Sequence, residues 1–139
     1  MNIIKLNATG SSNTFLAKMA KEEDLPSPSL LLVHEQIQGR GQRDAKWWSE
    51  SGKSLTMSLY IRPEKLLAQN QFYLSMAVSI AVWKVLDAYN TPKLSVKWPN
   101  DILSYNKKLM GILIENTVKA QYIDSCIVGI GLNVNNDYN

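Results

Sequence analysis

The stretch Asn70 to Tyr89 constrains the fold more than any other part of the chain. It reads as a helix, and Phe72, Leu74, Met76, Val78, Ile80, Val82, Trp83, Val85 and Leu86 wrap most of its circumference. A helix with a single apolar stripe can lie on a surface, but one that is apolar nearly all round has to be covered. It is therefore expected to lie buried against a sheet.

The sequence supplies the strands for such a sheet. Asn2 to Leu6 reads as a short first strand, followed by a helix capped by Ser11 or Ser12 and running to about Glu23. Pro26 and Pro28 end that helix. Leu30 to Gln36 is an apolar run typical of a buried strand, and Ser54 to Ile61 alternates until Pro63 stops it. Leu94 to Trp98 is short and extended, because Pro99 follows Trp98. Ile102 to Tyr105 and Lys108 to Glu115 form a hairpin turning at Asn106-Lys107, and Tyr122 to Ile130 is the last strand. This order predicts an α+β fold: a mixed, mostly antiparallel sheet with helices packed on one face.

With 139 residues there is chain for one compact domain. A composition 45% hydrophobic and 19% charged argues against disorder, and a net charge of +3 is too mild for the basic stripe of a nucleic-acid binder. No apolar run reaches the length of a membrane span, and the N-terminus has no signal-peptide pattern. Cys126 has no partner for an internal disulfide, and with His34 as the lone histidine no Cys/His zinc site can form. The expected setting is the cytoplasm, with neither membrane nor nucleic acid as a partner.

Four segments carry candidate chemistry. Ile37 to Lys53 has no clean period and reads as a long loop, a place where function concentrates. Within it, Gly39 to Arg43 (GRGQR) combines glycines that bring the backbone close to a ligand with two guanidinium groups suited to phosphate. It fits neither the Walker pattern nor GxGxxG. Trp47 and Trp48 beside it could stack on a base, or simply pack in the core. Lys97 to Ile102 (KWPNDI) places Asn100 and Asp101 at a turn, where a carboxylate can meet ATP-borne magnesium, although Asn-Asp after proline is also plain turn chemistry. In Lys107 to Glu115 (KKLMGILIE), period 2 sends Lys108, Met110, Ile112 and Ile114 to one face and Leu109, Gly111, Leu113 and Glu115 to the other. A lysine heading an apolar strand calls for an anion if it is buried, and Gly111 marks a close approach to the backbone. In Gly129 to Asn135 (GIGLNVN), glycines at i and i+2 leave a slot on one face.

Taken together and in this order, GRGQR-x-x-KW, KWPNDI, KKLMGILIE and GIGLN resemble the catalytic domain of the biotin protein ligases, with SSN at Ser11 to Asn13 similar to that family's S-T-N. The resemblance spans nearly the whole chain. It implies a fold of the class II aminoacyl-tRNA synthetase/biotin ligase kind, and an enzyme that makes biotinyl-5′-adenylate from biotin and ATP with Mg2+. The biotin then passes to a lysine of a biotin carboxyl carrier protein. By the resemblance, Ser11, Ser12 and Gln36 hold the ureido ring, while Gly39, Gly111 and Gly129 lie against biotin. Arg40 contacts the biotin carboxylate and the phosphates, and Lys108 bridges the carboxylate and the α-phosphate. On the nucleotide side, Arg43, Trp47, Asn100, Asp101 and Asn133 contact ATP, with Asp101 also toward magnesium. Lys108, Arg40 and Asp101 are the catalytic candidates.

The pattern departs from the family in places. Gln42 stands where some relatives have arginine, and Asp44-Ala45 replaces a glycine-basic pair. The chain is expected to be a partial catalytic domain over residues 1–139, without an N-terminal DNA-binding domain and ending before the rest of the catalytic sheet and a C-terminal β-barrel. A homodimer is a further expectation. Lipoate–protein ligase, a truncated non-catalytic biotin-binding module and, more distantly, a nucleic-acid-binding loop remain as alternatives.

Overall fold

The computed structural model describes residues 1–136. Chain order is β1 (Asn2–Thr9), α1 (Ser12–Glu22), β2 (Ser29–Gln36), β3 (Gly39–Arg40), β4 (Lys46–Trp47), β5 (Ser54–Ile61), α2 (Gln71–Ala88), β6 (Leu94–Lys97), β7 (Asp101–Ser104), β8 (Lys107–Lys119) and β9 (Tyr122–Asn133). Seven strands form one sheet in the order β1-β2-β5-β9-β8-β7-β6, and β3 and β4 pair separately as a small ribbon. Only β1 and β2 run parallel, with α1 as their crossover; the other pairs in the sheet are antiparallel. The fold is therefore the mixed, mostly antiparallel α+β sheet that the sequence predicts.

The two helices, however, lie on opposite faces rather than on one. Alternation along β9 is the reason. Ile127 points toward α1, where it packs with Leu16, Leu31, Val33 and Tyr60. Its neighbours Cys126 and Val128 point the other way, into a cluster with Ile102, Met110, Ile112 and Leu86 of α2. A strand that is apolar at every position has two faces to cover, and one helix layer cannot cover both.

Helix α2 is also less enclosed than its sequence suggests. Leu74, Val78, Val82, Trp83 and Leu86 face the sheet, while Tyr73, Ile80 and Val85 are 63%, 49% and 58% exposed. Helix α1 has a clearer start. Ser11 is the N-cap, accepting from Thr14 N, so Ser12 becomes the first helical residue. In the β7–β8 hairpin, β7 keeps its expected length but starts one residue earlier, β8 runs on to Lys119, and the turn falls one residue earlier, at Tyr105-Asn106. Both of these residues take positive φ (48° and 62°), which a two-residue hairpin of matching twist requires.

Cys126 is 1% exposed, and burial pushes its thiol up to about 12. The native protein at pH 8 is expected to react with a thiol reagent only through opening of the sheet. Colour development should therefore be negligible over minutes without denaturant and complete in guanidinium; equally fast reaction in both would contradict the packing. Among the described residues no helix is long and apolar enough to cross a membrane.

Candidate active site

On the α1 face, between the start of α1 and the β3–β4 ribbon, the sheet carries a cavity of about 230 Å³. Ser11, Ser12 and Gln36 line one end; Asn100, Asp101 and Lys108 line the other, with Arg40 and Trp47 from the ribbon. The floor is glycine, with Gly111 on β8 and Gly129 and Gly131 on β9. These residues are separated widely in sequence, and the sheet brings them together.

A β-bulge decides where Lys108 points. Strict alternation puts it on the Met110 face, inside the α2 core. Instead the β7–β8 register shifts between Ile102 and Leu103, so that Ile102 pairs with Met110 but Leu103 with Lys108. The extra residue, Leu109, leaves the alternation out of step, and Lys108 turns to the cavity while Met110 stays 4% exposed in the core. Asn133 stands behind the bulge, its Nδ2 donating to the Lys108 carbonyl at 3.3 Å.

The cationic groups are held in ion pairs. Lys108 Nζ lies 2.8 Å from Asp101 Oδ1 and 5.5 Å from the centre of the Trp47 ring. Arg40 pairs with Glu115 and donates to Thr14 Oγ1 at 3.2 Å. With side chains 47% and 39% exposed, the Arg40–Glu115 pair contributes only about 0–1 kcal/mol, so an incoming ligand anion can compete for Arg40. The far end is organised by hydrogen bonds, with Ser12 N donating to Gln36 Oε1 at 2.6 Å and Asn13, Ser58 and Ser12 linked side chain to side chain.

Trp47 fills the slot above the glycine floor. A methyl group at Gly111 would stand 2.9 Å from its Cζ3, and one at Gly131 2.7 Å from its Nε1. That indole N–H is buried and has no hydrogen-bond partner among the described residues, a state that costs about 1–3 kcal/mol. A ligand that displaces the ring relieves this. Saturation with the biotin and ATP that the resemblance implies is accordingly expected, if they enter this slot, to change tryptophan emission, and Trp47→Phe should lose most of the change; an unaltered response in that variant would clear Trp47 of the role.

The expected residues distribute unevenly. Ser11, Ser12, Gln36, Arg40, Trp47, Asn100, Asp101, Lys108, Gly111 and Gly129 line the cavity. Gly39, Arg43 and Asn133 do not. Gly39 is buried beneath the Trp47 backbone, where a Cβ would collide with it, and Arg43 sits at the ribbon turn with φ 51°. The Asn100 amide donates to Ile112 O at 3.2 Å, which ties the turn to β8. Gly129 lies under the Asn13 amide, 2.9 Å from Cγ to a built Cβ, so its missing side chain makes room for Asn13 on the cavity wall. The loop over residues 37–53 is not wholly irregular. Its ribbon closes through Gly41 N to Ala45 O and Ala45 N to Gln42 O, too short to show as a period in sequence. Asn13 and Glu115 emerge as site residues to which the sequence pattern assigns no role, although Asn13 stands in SSN, while Gly131 opens the slot expected of the GIGLN glycines.

Residues 6–133 match the model of the biotin/lipoate A/B protein ligase family. The chain belongs to this family. Among its curated ligase relatives, the bifunctional ligase/repressor BirA of Bacillus spizizenii is 35% identical over 90% of this chain. A biotin–(acetyl-CoA-carboxylase) ligase of Paracoccus denitrificans is 33% identical over 93%. The chain spans 38% and 53% of these two ligases' own lengths. Among solved ligases, biotin protein ligase from Aquifex aeolicus in complex with biotin and ATP superimposes with a TM-score of 0.69 at 31% identity, over 99% of this chain and 54% of that one. The Leishmania major enzyme in complex with biotinyl-5-AMP gives 0.74 at 25% identity, covering 99% and 59%.

Proposed function

We propose that this chain carries the ligand-binding core of a biotin protein ligase, which joins biotin and ATP as biotinyl-5′-adenylate and transfers biotin to a lysine of a biotin carboxyl carrier domain. One observation carries the reading: the ammonium of Lys108, paired with Asp101, faces the same cavity whose other end is the Ser12–Gln36 pair, and Arg40, held beside Thr14 and Glu115, lines it between the ribbon and the start of α1. This is a pocket for a polar ring at one end and an anion at the other.

In the first step a carboxylate oxygen of biotin attacks the α-phosphorus, a new P–O bond forms, and the bond to pyrophosphate breaks. Two anions must approach, so the work of the site is to neutralise charge. Lys108 exchanges Asp101 for the carboxylate and α-phosphate, and Arg40 exchanges Glu115 for the same oxygens. In the second step a neutral lysine amine of the acceptor attacks the acyl carbon and AMP leaves. Asp101, freed from Lys108, is placed to orient that amine. The ribbon bearing Arg40 and Trp47 shields the mixed anhydride from water.

Magnesium is implied by the chemistry. Asp101 is a hard oxygen donor on the cavity wall, and would supply one oxygen to an ion carried in by the triphosphate. Bound there, it would offset phosphate charge.

The test is biotin-dependent ATP–pyrophosphate exchange together with calorimetric titration of biotin against lipoate. Exchange with biotin alone supports the reading. Binding of biotin without exchange makes the chain a binding module, and preference for lipoate moves it to the lipoate branch of the family.

A further inference from the structure

Behind the ring end of the cavity, a hydrogen-bonded chain runs from the half-exposed Glu115 through the buried Asn13 and Ser58 to Ser12, and chemistry sets the direction of every link. Asn13 Nδ2 lies 2.8 Å from Glu115 Oε2 and 3.2 Å from Leu113 O. A carboxylate and a carbonyl only accept, so the amide must turn its NH2 to them and its oxygen to Ser58. Ser58 Oγ lies 2.6 Å from that oxygen and 2.7 Å from Ser12 Oγ. Ser58 has one proton, and Asn13 Oδ1 has none to give. Ser58 therefore donates to Asn13, and Ser12 donates to Ser58. With its proton spent, Ser12 has only lone pairs left for the cavity. Gln36 is oriented as firmly, because its oxygen accepts the Ser12 backbone N–H and its NH2 is the end it can offer.

We propose that Ser58, backed by Asn13 and Glu115, is a positioning residue that holds Ser12 as an acceptor beside the Gln36 donor, and so makes the pocket select a ring with an N–H next to its carbonyl oxygen, as in a cyclic urea. Ser58 is fully buried, and Asn13 and Ser12 are 3% and 4% exposed, so water cannot substitute for a missing link. The inference rests on biotin as ligand and adds the source of the selectivity.

The experiment is calorimetric titration with biotin and with the two cyclic carbamates in which one or the other ureido N–H is replaced by ring oxygen. In the wild type, the isomer that sets oxygen against Ser12 meets lone pair with lone pair, and should bind at least about ten-fold more weakly than biotin. In Ser58→Ala the Ser12 proton is free to turn into the cavity, and that ratio should fall toward one even as biotin itself binds less tightly. Asn13→Ala, which removes the acceptor that commits the Ser58 proton, should shift the ratio in the same direction and serves if the first variant does not fold. A wild-type ratio retained in either folded variant overturns the proposal. Wild-type protein that binds none of the three compounds overturns the ligand reading instead, which is a separate failure.

Discussion

Lys108→Ala is expected to slow biotin-dependent ATP–pyrophosphate exchange by about 100- to 1,000-fold, the usual effect of removing one preorganised group from a charge-developing transition state. The bulge at Leu109 spends a regular stretch of strand to turn this one ammonium into the cavity, and Asp101 holds it there at 2.8 Å. Its contribution should be concentrated where carboxylate and phosphate converge, so biotin affinity measured without ATP should fall far less than the exchange rate. Lys108→Arg is not expected to restore the rate, since a planar fork on a longer side chain cannot occupy the point where the ammonium sits between Asp101 and the Trp47 face. A rate within a few-fold of wild type in Lys108→Ala would remove the lysine from the mechanism.

The second large effect is expected to separate stability from binding. Gly131→Val should weaken biotin binding roughly 100-fold, about 3 kcal/mol, while leaving the melting temperature near that of the wild type. Gly131 lies on β9 between Thr56 of β5 and Gly111 of β8, where backbone entropy and strand propensity both favour a β-branched residue. The atoms that a new side chain would meet all belong to the Trp47 indole ring rather than to any backbone, and this side chain is expected to swing aside with the ribbon. What the valine removes is the slot itself, in a cavity of only about 230 Å³. Calorimetry and thermal melting on the same preparation check this; a collapse in melting temperature parallel to the loss of binding would mean that the glycine serves the sheet rather than the ligand.

Most of the secondary structure was legible because it rests on local patterns. Ser54 to Ile61 alternates cleanly and stops before Pro63, and the structure has that strand with the same bounds. The apolar run at Leu30 to Gln36 marked a buried strand, and α2 stood out from its length and apolar content. The β3–β4 ribbon did not stand out, because two-residue strands have no period and are held by turn hydrogen bonds. Placing both helices on one face failed for a related reason. The sequence indicates that Cys126, Ile127 and Val128 are apolar, but only the pairing of β9 with β5 and β8 says which helix each one meets.

At the site the division is similar. Motifs in their order were enough to carry the resemblance, and the resemblance implied Arg40, Lys108, Asp101, Ser12 and Gln36 as site residues, all of which line the cavity. The face of Lys108 was not available, since a bulge breaks the period-2 rule that any reading of a strand depends on. Nor were the partners of the charges: Glu115 is 75 positions from Arg40 in the chain, yet the sheet sets them against each other. By itself the sequence determined the chemical inventory and the local conformations, which depend on nearest neighbours. The tertiary structure alone decided which groups meet, which way the hydrogen-bond chain behind Ser12 runs, and which glycine lies open to a ligand, because each of these follows from pairing between strands distant in sequence.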